Sequence, residues 1–249
     1  MEKTLKGIVL NSFDFRDYDK IITIYSNLYG KISLVCLGVN KTKSKNKYAI
    51  NYLSYSNFEI FKAKNKLGLS KLKRSELINS FSHIVTDFNL YVYANVLTSL
   101  VMNLEDHMKN YNLFKILKLS IFLINSKSNI SFKVCILFMF YFLKIIGNQI
   151  NLTVCGFCNS KINPIIAISF TNYCSSCKFC YFDDCLIIDN QLKNFINSIV
   201  KDDFIASLNQ KISNQNLKIL TKFVLSYYKD QVGIFTTSMY LLSSINQFK

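Results

Sequence analysis

The first eighty residues carry short β-rich runs, after which the apolar positions switch to a helical period. Leu5–Leu10, Lys20–Tyr25 and Lys31–Leu37 read as three strands, the last two joined by turn chemistry in Asn27-Leu-Tyr-Gly30. Tyr52 to Lys62 alternates apolar and polar positions, with Tyr55, Phe58 and Ile60 on the apolar side, as a sheet buried on one face requires. Leu67–Leu72 makes a fifth run. Five short strands with one long basic connection suit a small barrel of the OB type.

From Phe88 to Leu104, apolar residues recur at Leu90, Ala94, Leu97, Val101 and Leu104, which is helical spacing. Leu113–Ile124 is a second helix, and Ser131 is placed to cap a third that runs through Ile146 and closes at Gly147. That third helix holds the longest apolar run, Val134 to Leu143 between Lys133 and Lys144. It is about half of the ~20 residues needed to cross a bilayer, so it reads as a buried helix. Asp189 is an N-cap candidate for a helix through Val200. Ser213 opens another, with Leu217, Leu220, Val224 and Tyr228 on one stripe and an end near Gly233.

Between the third helix and Asp189 lie two CxxC pairs, Cys155-Gly-Phe-Cys158 and Cys174-Ser-Ser-Cys177. Four thiolates so spaced can converge on one tetrahedral Zn²⁺, which leaves no open position for chemistry and makes the site structural. The expected ligands are Cys155, Cys158, Cys174 and Cys177, with one zinc per chain. Cys180 stands CxxC-spaced from Cys177, and Cys185 follows closely, so either can replace a ligand or remain a spectator.

Charge changes the picture further. Thirty basic residues oppose fifteen acids, a formal net charge of +15, and this excess implies a polyanionic partner: nucleic acid or an anionic membrane surface. Residues 1–80 hold thirteen lysines and two arginines against six acids. The densest cluster is Lys41-Thr-Lys-Ser-Lys-Asn-Lys47, whose alternate lysines would point one way in an extended loop and follow successive phosphates. Phe13, Phe15, Tyr18, Tyr48, Tyr52 and Tyr55 offer stacking faces for bases, although any one of them alone is more at home in a core. The expected DNA contacts are Arg16, Lys20, Lys31, Lys41, Lys43, Lys45, Lys47, Lys71, Lys73 and Arg74.

Catalysis finds no support. Neither histidine, His83 or His107, belongs to an HxxxH or HxE arrangement, and no proline precedes a knuckle as in the zinc deaminases. Phosphate-binding glycine loops and the nucleophile elbow are absent too. The first residues lack an apolar core of the secretory kind, so a cytoplasmic protein with reduced cysteines is expected.

Several stretches, in order, carry a family resemblance. Gly7-Ile-Val-Leu10, Asp14-Phe-Arg-Asp-Tyr-Asp-Lys20-Ile-Ile-Thr, Gly30-Lys-Ile-Ser-Leu-Val and the basic loop Leu37-Gly-Val-Asn-Lys-Thr-Lys-Ser44 resemble the opening of the RecO family of bacterial recombination mediators. The tail Val232-Gly-Ile-Phe-Thr-Thr-Ser238-Met-Tyr-Leu-Leu is similar to that family's closing signature, with Thr237 and Met239 where the family carries cations. The resemblance implies an α+β multidomain chain. Its expected parts are an OB-fold β-barrel over 1–80, an α-helical domain over 81–150 and 189–249, and an inserted four-cysteine zinc module over 151–188. It implies binding of single- and double-stranded DNA without ATP, and annealing of strands coated by single-stranded-DNA-binding protein. It also implies RecA loading with RecR, at the nucleoid and away from membranes. The acidic C-terminal tail of the coating protein would dock on the helical domain, with Lys115, Lys118, Lys133 and Lys144 as candidates and the first two preferred. An RNA-binding zinc protein on the same barrel is the alternative that the residues themselves leave open.

Overall fold

A computed structural model describes residues 2–64, 68–127, 129–201 and 203–247. The chain divides into two compact units, Met1–Lys127 and Ser128–Lys249.

The first unit opens with five strands: β1 (Glu2–Phe15), β2 (Asp19–Ser26), β3 (Gly30–Cys36), β4 (Tyr55–Phe61) and β5 (Ser70–Asn79). They close into a barrel in the order β1-β2-β3-β5-β4, antiparallel except where Leu34 and Val35 of β3 run parallel to Ser70 and Lys71 of β5. Inward positions alternate along each strand, so Leu5, Val9, Ile22, Ile24, Ile32, Leu34, Phe58, Ile60 and Leu72 fill one core. The fourteen-residue β1 serves both β2 and β4, and an irregularity between Val9 and Asn11 lets it turn from one to the other. At that point Val9 bonds instead to the connection before β4: its N–H donates to Ser54 O at 2.9 Å, and its carbonyl accepts from Leu53 N at 3.0 Å. The expected fifth strand begins later than Leu67, which itself lies outside the described residues.

Three helices follow in the same unit: α1 (Ser82–Thr86), α2 (Phe88–Met102) and α3 (Tyr111–Asn125). The carboxylate of Asp87 and the amide oxygen of Asn110 accept from Leu90 N and Leu113 N, which caps α2 and α3. These helices belong to the same compact unit as the barrel, which runs to Lys127. Lys31 Nζ donates to Met102 O at 2.8 Å, and His107 N–H donates to Lys31 O at 2.9 Å. Tyr52 Oη bonds Asn95 and Thr98 on α2. Gly30, at φ 66°, is fixed by this junction, because a Cβ there would lie 2.1 Å from Met108 O. The change of period at residue 81 marks where helices begin; the apolar faces of α2 and α3 decide what they pack on.

The second unit starts with α4 (Ser131–Ile145), whose Val134 to Phe140 are all buried, as its apolar run predicts. Ser131 is the first helical residue and not the cap, since Ile130 holds that place without a side-chain bond. Gly147, at φ 78°, ends the helix as expected. A three-stranded sheet, in the order β7-β6-β8, follows from β6 (Ile165–Ser169), β7 (Cys174–Cys177) and β8 (Cys185–Ile187). Then come α5 (Asn190–Val200), α6 (Phe204–Asn209), α7 (Asn214–Tyr227), one π-helical turn at Tyr228–Val232, and α8 (Thr237–Gln247). Asp189 and Ser213 cap α5 and α7 as expected. Lys133 reaches from α4 to donate to Leu208 O at 2.6 Å and Gln210 O at 3.1 Å, satisfying the end of α6; burial lowers its pKa. Among the described residues, no helix is long and apolar enough to cross a membrane.

Candidate functional site

Two knuckles build a four-cysteine cluster that could hold a metal ion. In the first, Asn159 N–H closes a turn onto Cys155 O at 2.9 Å, and Asn159 takes a left-handed conformation, φ 55°. Gly156 N–H donates to Ser175 O at 2.9 Å and Ser175 Oγ donates to Leu152 O at 2.6 Å, which clamps this knuckle against β7. In the second, Cys180 N–H donates to Cys177 O at 3.1 Å, so the chain leaving β7 turns back at once.

The sulfurs brought together are those of Cys155, Cys158, Cys177 and Cys180, all within 4.8 Å of one another. Cys174, an expected ligand, is not among them. It begins β7, and along a strand Cys174 and Cys177 are about 10 Å apart with side chains on opposite faces, so both cannot reach one ion. Cys180 takes the place because a tight turn, unlike a strand, brings positions i and i+3 together. A signal for this was present: Cys155-Gly-Phe-Cys158 and Cys177-Lys-Phe-Cys180 share phenylalanine at the third position, whereas Cys174-Ser-Ser-Cys177 does not. Cys174 instead packs behind the first knuckle, where a Cβ on Gly156 would meet its Cβ at 2.4 Å and its Sγ at 2.6 Å. Cys185 pairs across β6 at Ser169 and also stays outside the cluster.

The residues fit a zinc ion. Cys158 Sγ and Cys177 Sγ lie 3.8 Å apart, close to the edge of a tetrahedron with metal–sulfur bonds of about 2.3 Å. Cys177 N–H points at Cys155 Sγ at 3.5 Å, and Asn163 Nδ2 reaches Cys177 Sγ at 4.0 Å, contacts that suit thiolates. Burial alone would raise the Cys155 thiol, but backbone N–H groups of Cys158, Cys177 and Phe157 outweigh it and hold its pKa down at about 6. Cys180 is pushed up to about 12, chiefly by its side-chain bond to Cys158, so without metal the cluster keeps a proton there. A cation held by these four sulfurs would take the place of that proton. No histidine or carboxylate belongs to this group of four.

The basic loop lies on the barrel unit. Between β3 and β4, residues 37–54 fold as successive turns, with Lys41 N–H on Gly38 O at 3.2 Å and Ser44 N–H on Lys41 O at 3.0 Å. The expectation of an extended loop is therefore corrected. Val39, Ile50 and Leu53 are buried, and anchoring them forces the chain to coil. Asn46 Oδ1 accepts from Ser75 N at 2.8 Å and ties the loop to β5. Its other end is tied to the β1–β2 hairpin, where Asn40 Nδ2 donates to Asp14 at 2.7 Å and Gly38 N–H to Asp19 at 2.7 Å. The Asn40 bond and then Lys20, 3.2 Å away, hold Asp14 below the usual carboxylate range. Lys41, Lys43, Lys45 and Lys47 all remain exposed.

A wide hollow of about 510 Å³ opens beside the loop, lined by Arg16, Tyr18, Leu37 and Lys41 together with Asp17 and Asp19. Lys41 lies over the Tyr18 ring at 5.7 Å, and Arg16 lies over Phe15 at 5.0 Å. Phe13, Tyr18 and Tyr48 are exposed, whereas Tyr55 is buried in the unit and Tyr52 is bound to α2. Lys71 and Arg74 are exposed on β5. Three expected DNA contacts are otherwise engaged, the first being Lys20 with Asp14 at 3.2 Å. Lys31 is only 14 % exposed and pairs with Asp106 at 3.3 Å, and Lys73 is paired with Glu2 and Glu59. Lys115 and Lys118 sit on α3, over the rings of Tyr111 at 4.6 Å and Tyr55 at 5.8 Å.

Comparison with known proteins decides the family. The family described as "Recombination protein O N terminal" matches residues 1–81, and "Recombination protein O C terminal" matches residues 85–239. The chain belongs to the RecO family. It is 99 % identical to the DNA repair protein RecO of Mycoplasma capricolum subsp. capricolum over the full length of both chains. It is 32 % identical to that of Mesoplasma florum over 96 % of this chain and 89 % of the relative. With the RecO of Clostridium acetobutylicum it shares 28 % over 90 % of this chain and 91 % of the relative. Membership supports a role in recombinational DNA repair. The RecO N-terminal match covers the barrel, and the C-terminal match covers α2 to the start of α8, the four-cysteine segment included.

Proposed function

We propose that this RecO-family chain is a DNA-binding recombination mediator that anneals complementary strands coated by single-stranded-DNA-binding protein and, with RecR, assists RecA loading. The observation that carries the reading is the row of exposed lysines, Lys41 to Lys47, on a closed five-stranded barrel beside Tyr18 and Tyr48. The ring order and the parallel β3–β5 pairing support an OB-fold, a platform for oligonucleotides. Aromatic faces stack unpaired bases without regard to sequence, and lysines track the backbone. Annealing needs no covalent step, so the chain acts without catalysis. Lysines reduce repulsion between two phosphate backbones, base pairing supplies the driving force, and the duplex offers fewer bases to hold. Such work belongs in the cytoplasm, at the nucleoid.

The zinc ion is read as structural, held by Cys155, Cys158, Cys177 and Cys180. For the coating protein's acidic tail, the supporting feature is α3, where Tyr111, Lys115, Lys118 and Phe122 recur at helical spacing with Tyr111 and Phe122 exposed. Cations beside aromatic rings suit an acidic peptide with an aromatic end. Equilibrium binding of an oligothymidylate and of a structured RNA at matched salt tests the central reading. Tighter binding of the single-stranded DNA, lost on changing Lys41, Lys43, Lys45 and Lys47 to alanine, is expected. Tighter binding of the RNA by the unaltered chain overturns it.

A further inference from the structure

The four-cysteine segment exposes more apolar surface than holding four sulfurs together requires. Phe157 and Phe179, the third residue of each knuckle, are 41 % and 79 % exposed, and Ile162, just after the first knuckle, is 95 % exposed. Phenylalanine is ordinarily among the most buried residues, yet both equivalent positions stay uncovered. Each ring stands on a tight turn, closed by Asn159 N–H on Cys155 O in one knuckle and Cys180 N–H on Cys177 O in the other. Phe157 meets the Phe182 ring at a centroid distance of 5.2 Å with the planes at 79°, a contact that covers at most one of its faces.

Beside the first knuckle, a cavity of about 180 Å³ opens between residues 161–165 and α5. Lys161, Asn163, Lys193 and Asn197 supply its polar lining, and no acid is among the lining residues. Ser160 Oγ accepts from Ile162 N at 3.3 Å and Asn163 N at 3.1 Å, which shapes the turn at its edge. Asn163 also reaches Cys177 Sγ, so the cavity abuts the sulfur cluster. Neither Lys161 nor Lys193 is held in an ion pair among the described residues. The acids of this stretch are placed elsewhere. Asp189 caps α5 and accepts from Asn216, and Asp183 and Asp184 are exposed on the connection from β7 to β8. Phe157 and Lys161 are four residues apart, hence no more than about 14 Å, within the reach of a few nucleotides.

We infer that the four-cysteine segment is a second contact for a single DNA strand: unpaired bases stack on Phe157 and Phe179, and a neighbouring phosphate enters the cavity of Lys161 and Lys193. The cavity is smaller than a pocket for a whole ligand, and its volume suits a phosphate better than a base with its sugar. Aromatic rings carried on zinc knuckles suit splayed, unpaired bases. A duplex, whose bases already stack on one another, gains nothing from such rings. The inference rests on the strand-binding reading above and adds a contact that does not use the barrel loop.

The chain contains no tryptophan, so Phe179→Trp introduces a single fluorophore at a proposed stacking position. Titrating this full-length, zinc-loaded variant with a short oligothymidylate should quench its emission, and a complementary duplex of the same length should not. Adding Phe157→Ala should weaken the affinity read by the quench about fivefold or more. Adding Lys161→Ala and Lys193→Ala instead should make the log K against log salt slope of the quench shallower by roughly 0.7, the value for one phosphate. Zinc per chain should match the parent in each variant; should Phe157→Ala cost the metal, the quench in Phe179→Trp alone decides. An unquenched tryptophan while labelled-strand anisotropy reports binding through the barrel loop overturns this contact and leaves the first reading intact. No strand binding by anisotropy overturns both. Equal quenching by the duplex overturns the stacking. An emission shift that follows protein concentration alone, with none on adding the strand, makes the patch an interface between copies and also overturns the inference.

Discussion

At the scale of single residues, the four-cysteine cluster turns on the difference between a strand and a turn. Cys177 ends β7 and opens a tight turn, so its near neighbour in space is Cys180, while Cys174 faces Gly156 from the other side. Cys180→Ser should therefore cost the protein its zinc, measured as metal per chain after dialysis, whereas Cys174→Ser should keep it. Structural zinc in small peptides contributes apparent energies of ~10–16 kcal/mol, so the first change should also unfold the segment locally. Gly156→Ala tests the packing behind the knuckle. The added methyl would press on Cys174, and a loss of about 1–3 kcal/mol in a denaturant melt is expected, with metal content retained at saturating zinc. The paired cysteines at 155 and 158 were legible from spacing alone. The second pair was not, because four cysteines crowd into twelve residues and spacing cannot say which of them lie on a strand.

At the scale of elements, the basic loop is held at both ends, by Asn40 on the β1–β2 hairpin and by Asn46 on β5. Removing the Asn46 side chain leaves Ser75 N–H without its acceptor, which costs about 1 kcal/mol. Asn46→Ala should speed amide exchange through residues 41–48 with little change in the barrel strands, read by hydrogen-exchange mass spectrometry. Unaltered exchange in the loop would show that the turns, and not this tie, hold it. Helix positions in this chain follow from caps and period: Asp189, Ser213 and Gly147 stand where their residue types place them. The loop's conformation did not follow from its lysines, because the buried Val39, Ile50 and Leu53 between and beyond them set the path. Lys31 and Lys73 illustrate the same limit. Their partners Asp106 and Glu2 are 75 and 71 residues distant, and no local pattern announces such pairs.

At the scale of the whole molecule, a net charge of +15 favours any polyanion, and what distinguishes one partner from another is where the cations stand. Four exposed lysines on one loop should give binding that weakens steeply with salt. Replacing Lys41, Lys43, Lys45 and Lys47 with alanine should make the log K against log salt slope shallower by roughly 0.7 per lost contact, up to about 3 units. The measurement that bears most directly on the central claim is the rate at which complementary strands, coated by the cognate single-stranded-DNA-binding protein, pair in the presence of this chain. Fluorescence energy transfer between labelled strands should rise rapidly with the unaltered protein, without nucleotide cofactor, and fall towards the uncatalysed rate with the four-lysine variant of unchanged melting temperature. Equal pairing rates with and without the unaltered protein, or a four-lysine variant as fast as the parent, would contradict the account.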